Sequence, residues 1–301
     1  MALIDRSILL IGECMIELSP LQGGEFKSGF AGDTFNTAWY LRRKMRDAWN
    51  VGYFTAVGDD HWSAEMLRFF AGAGVDTRDV VTVAGRSPGL YIVRLEKGER
   101  SFSYWRSNSA ARAMMDDKEQ FERSLEGKGV IFFSGITLAI LSPENRDRFI
   151  AALAQARLKG SLIAFDPNVR PHLWESSDVM RSTISKAGEV ADIVLPSFED
   201  EHTHFGDKSS EETIRRYATE PGKVIVVKNG GHEVVTQSSQ GDLSFWAPAK
   251  VENPVDTTAA GDAFNAGFLA SYLEDENIPD AVACGGALAA KVISKLGALV
   301  D

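Results

Sequence analysis

The chain has 301 residues, 44% of them hydrophobic, which suffices for one large core, or one core plus a small appendage. Its formal net charge is -10 and no run of Lys and Arg offers a track for nucleic acid, so an anionic ligand must be met by individually placed arginines. Cys14 and Cys284 form no CxxC pair and read as reduced, mostly buried thiols of a cytoplasmic protein, and no apolar run has the length of a signal-peptide core or a membrane span.

The first apolar run, residues 8–11, ends at Gly12 and reads as a strand buried on both faces. A polar-rich extended piece at 25–30 leads into Ala31-Gly-Asp-Thr-Phe-Asn36, which opens a helical pattern over 34–44. Gly32 lets a ligand approach the backbone, and Asp33 and Asn36 offer the acceptor and mixed groups that read sugar hydroxyls. A plain Asp33 or Thr34 N-cap accounts for Asp33 equally well, and for Asn36 less well. Residues 51–57 read as a strand and 63–71 as a helix that ends at Gly72-Ala-Gly74.

Residues 90–106 break the rhythm by alternating apolar and polar side chains. A two-residue turn at Lys97-Gly98 pairs Leu95 with Arg100, Val93 with Phe102 and Tyr91 with Tyr104. Tyr91, Val93, Phe102, Tyr104 and Arg106 then share one face, aromatic and cationic. The piece is either a lid over a polar substrate or a hairpin packed on the main domain.

Strands follow at 130–134, 162–166, 193–195 and 224–227, with helices at 143–158, 178–190 and 211–218, the first capped by Ser142 before Pro143. Such alternation predicts an α/β fold, a mostly parallel sheet sandwiched by helices. Asp166-Pro-Asn168-Val-Arg170-Pro lies just after a strand, at the edge where open α/β sheets bind ligands, and Arg170 can pair with a carboxylate or phosphate or stand as a surface arginine in a turn. Lys228-Asn-Gly230-Gly231 is a second strand-end loop that can pack on a nucleotide or serve as a common turn. His202 and His204 sit among acidic residues and read as solvated surface.

The last signal is Asp256-Thr-Thr-Ala259-Ala260-Gly261-Asp262-Ala-Phe, at the mouth of a helix whose face is marked by Phe264, Phe268, Leu269 and Leu273. Asn253-Pro254 closes what precedes it, and Thr257 or Thr258 is the expected N-cap. Free amides at a helix start hold phosphate oxygens, and a carboxylate beside them can take a proton from an attacking hydroxyl. The bland alternative is that Asp262 only complements the helix dipole. A GxxxxGK[ST] loop, a strand-linked GxGxxG, an HExxH pair and a GxSxG elbow are all absent from the sequence.

Together these stretches resemble the PfkB (ribokinase-like) family of sugar and nucleoside kinases, over nearly the whole chain. Residues 256–264 look like its C-terminal signature and residues 31–38 like its glycine signature. Within the family the 2-keto-3-deoxygluconate kinases are the branch most resembled, through Ile11-Gly-Glu-Cys-Met-Ile-Glu-Leu, Pro88-Gly-Leu-Tyr91, Tyr104-Trp-Arg106, residues 134–143 and residues 166–174. The resemblance implies a single ribokinase-like domain over 1–301, with a β lid formed by about 12–33 and 86–110. It implies ATP-dependent phosphorylation of the sugar acid at its 6-hydroxyl.

By that resemblance Gly32, Asp33 and Asn36 hold substrate hydroxyls, Tyr91, Tyr104, Arg106 and Arg170 surround the keto-acid end, and Asp262 activates the terminal hydroxyl. Ala259, Ala260 and Gly261 form the anion hole, Arg170 also helps to stabilise the charge on the transferred phosphoryl, and Asn168, Ser197, Lys228, Gly230 and Gly231 line the ATP side. The family's metal-associated Asn-x-x-Glu stands here as Ser197-Phe-Glu-Asp200, which leaves Asp200 to place Mg²⁺ through water. The signature's first small residue is Ala259 where the family has Gly. The resemblance further implies a homo-oligomer through the lid, with no nucleic acid and no membrane as partner. Two readings stay open beside it: a PfkB-type kinase of a neutral sugar such as fructose or ribose, and a non-catalytic sugar- or nucleotide-binding protein.

Overall fold

The computed structural model describes residues 3–96, 99–251 and 254–300. Its first half runs β1 (Ser7–Ile11), β2 (Met15–Pro20), β3 (Phe26–Ala31), α1 (Asp33–Lys44), β4 (Asn50–Phe54), β5 (Ala56–Val57), α2 (His61–Gly72), β6 (Val81–Thr82), β7 (Leu90–Glu96) and β8 (Glu99–Trp105). The second half runs α3 (Lys118–Leu125), β9 (Val130–Ser134), α4 (Gly135–Ile140), α5 (Pro143–Leu158), β10 (Leu162–Asp166), α6 (Ser177–Val190), β11 (Ile193–Val194), α7 (Phe198–Phe205), α8 (Ser210–Tyr217), β12 (Val224–Val227), β13 (Val234–Gln237), β14 (Leu243–Trp246), α9 (Ala260–Asp275) and α10 (Ile278–Ile293).

Eight strands form the main sheet in the order β14-β13-β12-β11-β10-β9-β1-β4, parallel from β12 to β4 and antiparallel at the β13–β14 edge. Alternating side chains divide the buried strands between two cores. Ile8 and Leu10 face one that includes Phe35 of α1 and Phe268 of α9. Leu9 and Ile11 face the other, with Phe149 of α5 and Ile184 of α6. The helices α9 and α10 pack closely because Gly267 has no side chain: a Cβ there would lie 2.7 Å from the Cys284 carbonyl oxygen.

A second sheet of four strands has the order β3-β2-β7-β8. The expected pairings of Tyr91 with Tyr104, Val93 with Phe102 and Leu95 with Arg100 are those observed. The turn assigned to Lys97-Gly98 lies outside the described residues, as does Asn253. The extended piece at 25–30 joins this sheet as β3, through β2, which is antiparallel to β3 and parallel to β7.

Other expectations need correction. The 51–57 run splits at Thr55: β4 joins the main sheet, whereas β5 pairs with β6. Neither Asp33 nor Thr34 caps α1; the cap is Gly32, with extended backbone and no side-chain bond. A Cβ on Gly32 would lie 2.1 Å from the Glu13 carbonyl oxygen, so close strand–helix packing requires glycine there. Neither Thr257 nor Thr258 caps α9; Ala259 does, in the left-handed region at φ 59°. Cys14 is buried as expected, but Cys284 is exposed. Among the described residues no helix is long and apolar enough to cross a membrane.

Candidate active site

The carboxyl ends of β10, β11 and β12, the start of α1 and the start of α9 converge on a cavity of about 1410 Å³. This is the strand-end position at which open α/β sheets take ligands. Asp262, the third residue of α9, lines it half-buried and accepts a hydrogen bond from Asn36 Nδ2 at 2.8 Å. Burial first, then the negative charges of Asp33 and Asp166, push the Asp262 carboxyl up to about 7; the Asn36 bond and the Lys228 ammonium pull the other way.

Beside this carboxyl, the N–H groups of Ala259, Gly261 and Asp262 have no hydrogen-bond partner among the described residues. The Ala260 N–H turns back to the Thr257 carbonyl at 3.2 Å, so the three-amide hole read from the sequence is better drawn without it. The left-handed Ala259 is what lifts these amides out of the helix. That conformation costs a non-glycine residue on the order of 1 kcal/mol, and the Ala259 side chain offsets part of it by packing on the small apolar cluster that includes Tyr91 and Ala298. Asp256 fixes the loop from below, accepting from the Thr258 N–H at 3.1 Å and the Gly297 N–H at 2.7 Å.

A charged knot lies under the amides. Lys228 Nζ donates to Asp166 Oδ2 at 2.8 Å and to Asn265 Oδ1 at 2.9 Å, and Asn265 Nδ2 donates to the same Asp166 oxygen at 2.5 Å. The ammonium would lie 3.7 Å from a Cβ on Gly261, so its charge sits next to the amide cluster. Asn168, held at φ 30°, donates its backbone N–H to Asp166 Oδ1 at 3.0 Å and its side-chain amide to Asp33 Oδ2 at 2.8 Å.

The other expected residues lie as follows. Gly32, Asp33, Asn36, Tyr91, Tyr104, Arg106 and Arg170 all line the cavity, as do Asn168, Ser197, Asp200, Lys228 and Gly230. Gly231 does not; it lies exposed just past the lining. The Tyr91 and Tyr104 rings are 5.8 Å apart, and Tyr104 stacks on His172 at 6.1 Å. Arg106 pairs with Glu13, and Arg170 stands 3.6 Å from Asp200. Tyr104, Arg106 and His172 also border a neighbouring cavity of about 590 Å³. Burial, then the charges of Arg106 and Arg170, lower the His172 pKa, so the ring is neutral at pH 7.

Sequence reasoning missed several members of the site. Asp166 and His172 lay inside a quoted stretch but received no role, and their position after a buried strand was the available signal. Glu13 lay in the same situation after β1. Asn265, one turn past Asp262 on the inner side of α9, had no signal beyond that spacing.

Among the described residues no cluster of three metal-ligating side chains exists. Asp200 lines the cavity with its carboxyl raised by burial and by Asp166, against the opposing charges of Arg170 and Lys228. That donor set fits a hard cation carried mainly by phosphate and water and steadied by one carboxylate. His202 is engaged elsewhere, its Nδ1 lying 2.7 Å from the Asp207 carbonyl. The arrangement can bind a polyanion at the α9 amides, take up a proton at Asp262, read hydroxyls with Asp33 and Asn36, and meet an acid with Arg106 and Arg170.

Comparison with known proteins gives the same picture. The profile of the pfkB family carbohydrate kinases matches residues 5–300. The 2-dehydro-3-deoxygluconokinase of Dickeya dadantii (strain 3937) is 37% identical over 302 residues, spanning 98% of this chain and 97% of that protein. The enzyme of the same name from Escherichia coli (strain K12) is 36% identical, spanning 99% of this chain and 98% of that protein. Among solved structures, a putative ribokinase II from E. coli in complex with ATP and Mg²⁺ superposes with a TM-score of 0.84 over 97% of this chain and 94% of that one, at 22% identity.

Proposed function

Because the chain belongs to the pfkB family of carbohydrate kinases, we propose that it transfers the terminal phosphoryl group of ATP to the 6-hydroxyl of 2-keto-3-deoxygluconate (2-dehydro-3-deoxygluconate). The products are 2-keto-3-deoxy-6-phosphogluconate and ADP. The observation that carries this reading is one cavity with a half-buried Asp262 beside unpaired amides and two guanidinium groups on its wall. A neutral sugar gives Arg106 and Arg170 nothing to pair with, whereas a keto acid does.

In this mechanism Asp33 and Asn36 hold the sugar hydroxyls, and Asn36 also orients the Asp262 carboxylate. Asp262 takes the proton of the 6-hydroxyl as its oxygen bonds to the γ-phosphorus and the bond to the departing ADP oxygen breaks. The Ala259 and Gly261 amides and the nearby Lys228 ammonium stabilise the charge that spreads over the phosphoryl oxygens. Arg170 and Arg106 hold the acid end, and Tyr91 and Tyr104 flank the sugar chain. Magnesium bound with the nucleotide would neutralise phosphate charge, with Asp200 the residue to hold it through water. The four-stranded sheet acts as a lid that excludes water, the competing phosphoryl acceptor. Phe26 and Trp105, exposed on that sheet, are the surface a second copy of the chain would cover. The working compartment is the cytoplasm.

The test is ADP release in the presence of 2-keto-3-deoxygluconate, fructose, ribose or gluconate. The keto-deoxy acid should give the highest kcat/KM by a wide margin. Higher kcat/KM for fructose or ribose would replace this substrate with a neutral one, and silence with every sugar would favour a binding protein.

The raised Asp262 carboxyl gives a pH prediction. The base works ionised, so kcat/KM should be flat above about pH 7 and fall about tenfold per unit below it. A profile flat down to pH 5 would remove Asp262 from the proton-taking role.

A further inference from the structure

Arg106 does not stand alone at the acid end of the cavity. Its guanidinium Nη2 donates to Glu13 Oε2, and both side chains are withdrawn from solvent, Glu13 at 1% and Arg106 at 9% exposure. The pair is incomplete. Arg106 Nε and Glu13 Oε1 are both buried without a hydrogen-bond partner, so contact is made through one end of each fork. A guanidinium and a carboxylate can meet through two parallel bonds. Nε is closed off from the cavity by its burial, so the part of Arg106 that lines the cavity is the remainder of the guanidinium fork.

Glu13 itself is fixed by backbone. It follows β1 in the turn into β2, its carbonyl oxygen is pressed against Gly32, and its Oε1 would lie 2.8 Å from a Cβ on Gly89. A Cβ on Gly89 would also meet Arg106 Cβ at 3.1 Å. The absence of side chains at Gly32 and Gly89 therefore makes the space in which this pair forms. Tyr104, whose ring lies 5.9 Å from the Arg106 guanidinium carbon, closes the other side.

We propose that Glu13 is a positioning residue for substrate acid recognition: it holds the Arg106 guanidinium through Nη2 so that the part of the fork that is neither engaged nor buried can meet the carboxylate of the sugar acid. This rests on the keto-acid reading above and names the residue that makes Arg106 selective. Arginine is long and flexible, and a guanidinium held in advance binds its anion without losing that freedom at binding. Glu13 touches neither the reacting hydroxyl nor the phosphates, so its influence falls on substrate affinity.

The test is a double-mutant cycle of Glu13→Ala and Arg106→Ala, with Glu13→Gln as the conservative variant. Steady-state constants are taken with 2-keto-3-deoxygluconate and with its neutral carboxamide, and thermal melting checks folding. Glu13→Ala should raise KM for the acid about 10–100-fold, as expected for truncating one side of a buried charge pair, and change kcat by less than about threefold. It should hardly alter KM for the carboxamide, and should add little in the Arg106→Ala background. Glu13→Gln keeps an acceptor for Nη2 and should restore KM to within about threefold of the parent.

Independent, multiplying effects of the two truncations would overturn the proposal, as would equal losses for acid and carboxamide. If Glu13→Ala does not fold, Glu13→Met, close to glutamate in size but without an acceptor, takes its place under the same criteria. A KM rise confined to the acid supports positioning, and an unchanged KM for the acid contradicts it. A parent enzyme that ignores the keto acid removes the substrate reading and this proposal with it, whereas an additive cycle in an active enzyme removes this proposal only.

Discussion

Asp262→Asn is expected to lower kcat by about 10²–10⁴-fold while leaving ATP affinity near that of the parent enzyme. The amide keeps the shape of the side chain and its contact with Asn36 but cannot take the hydroxyl proton. The unpaired amides of Ala259 and Gly261 stay where they are, so the nucleotide still finds its anion site. The same change should raise the melting temperature at pH 8. A carboxyl raised to about 7 in the folded chain and near 3.8 in the unfolded one stabilises the fold fully only below about pH 3.8, and that contribution is gone once pH passes about 7. At working pH the ionised acid is thus a cost of function, and the uncharged amide removes it. Lost turnover together with gained stability separates a missing base from a damaged fold; turnover near that of the parent would remove Asp262 from its role.

Lys228→Met is expected to cost about 3 kcal/mol of stability, read from urea unfolding, because it strands the buried Asp166 carboxylate. Asn265 and the Asn168 N–H would remain as its partners, without the balancing charge. The change should also act on chemistry. The Lys228 ammonium is one of the groups that favour an ionised Asp262, so its loss should move the acidic limb of the pH profile upward. An unchanged unfolding midpoint would mean that the Lys228–Asp166 pair is not the brace described here; a lost midpoint with an unmoved pH limb would confine Lys228 to structure.

The parts of the molecule legible in the sequence were those in which local chemistry and fold agree. The runs at β9, β10 and β12 are buried on both faces and apolar apart from the terminal Ser134 and Asp166, and their bounds were readable to the residue. The hairpin register followed from the two-residue turn assigned to Lys97-Gly98, which sets the pairing of β7 with β8. The edge strand β14 was not legible, since Leu243 and Phe245 are exposed and mark no core face. Nor was α10, whose Gly285-Gly286 pair weakens the helical signal; it is a helix because close packing on α9 requires small residues there. The cap of α9 was misread for a related reason. Threonine is the better capping side chain, yet the loop is shaped by backbone, with Ala259 left-handed and Asp256 holding the turn.

The site was legible where one residue carries its own chemistry, as with Asp262, Asp33 and Arg106. It was illegible where the function of a residue is to hold another. Glu13, Asp166 and Asn265 acquire meaning only when the fold brings them against Arg106 and Lys228, more than thirty residues away in sequence.

The most direct measurement is a crystal structure with 2-keto-3-deoxygluconate and a non-hydrolysable ATP analogue. The account predicts the Asp262 carboxylate within about 2.6–3.2 Å of the 6-hydroxyl, with γ-phosphate oxygens on the Ala259 and Gly261 amides. A 6-hydroxyl out of reach of Asp262, with the triphosphate seated away from the start of α9, would contradict it.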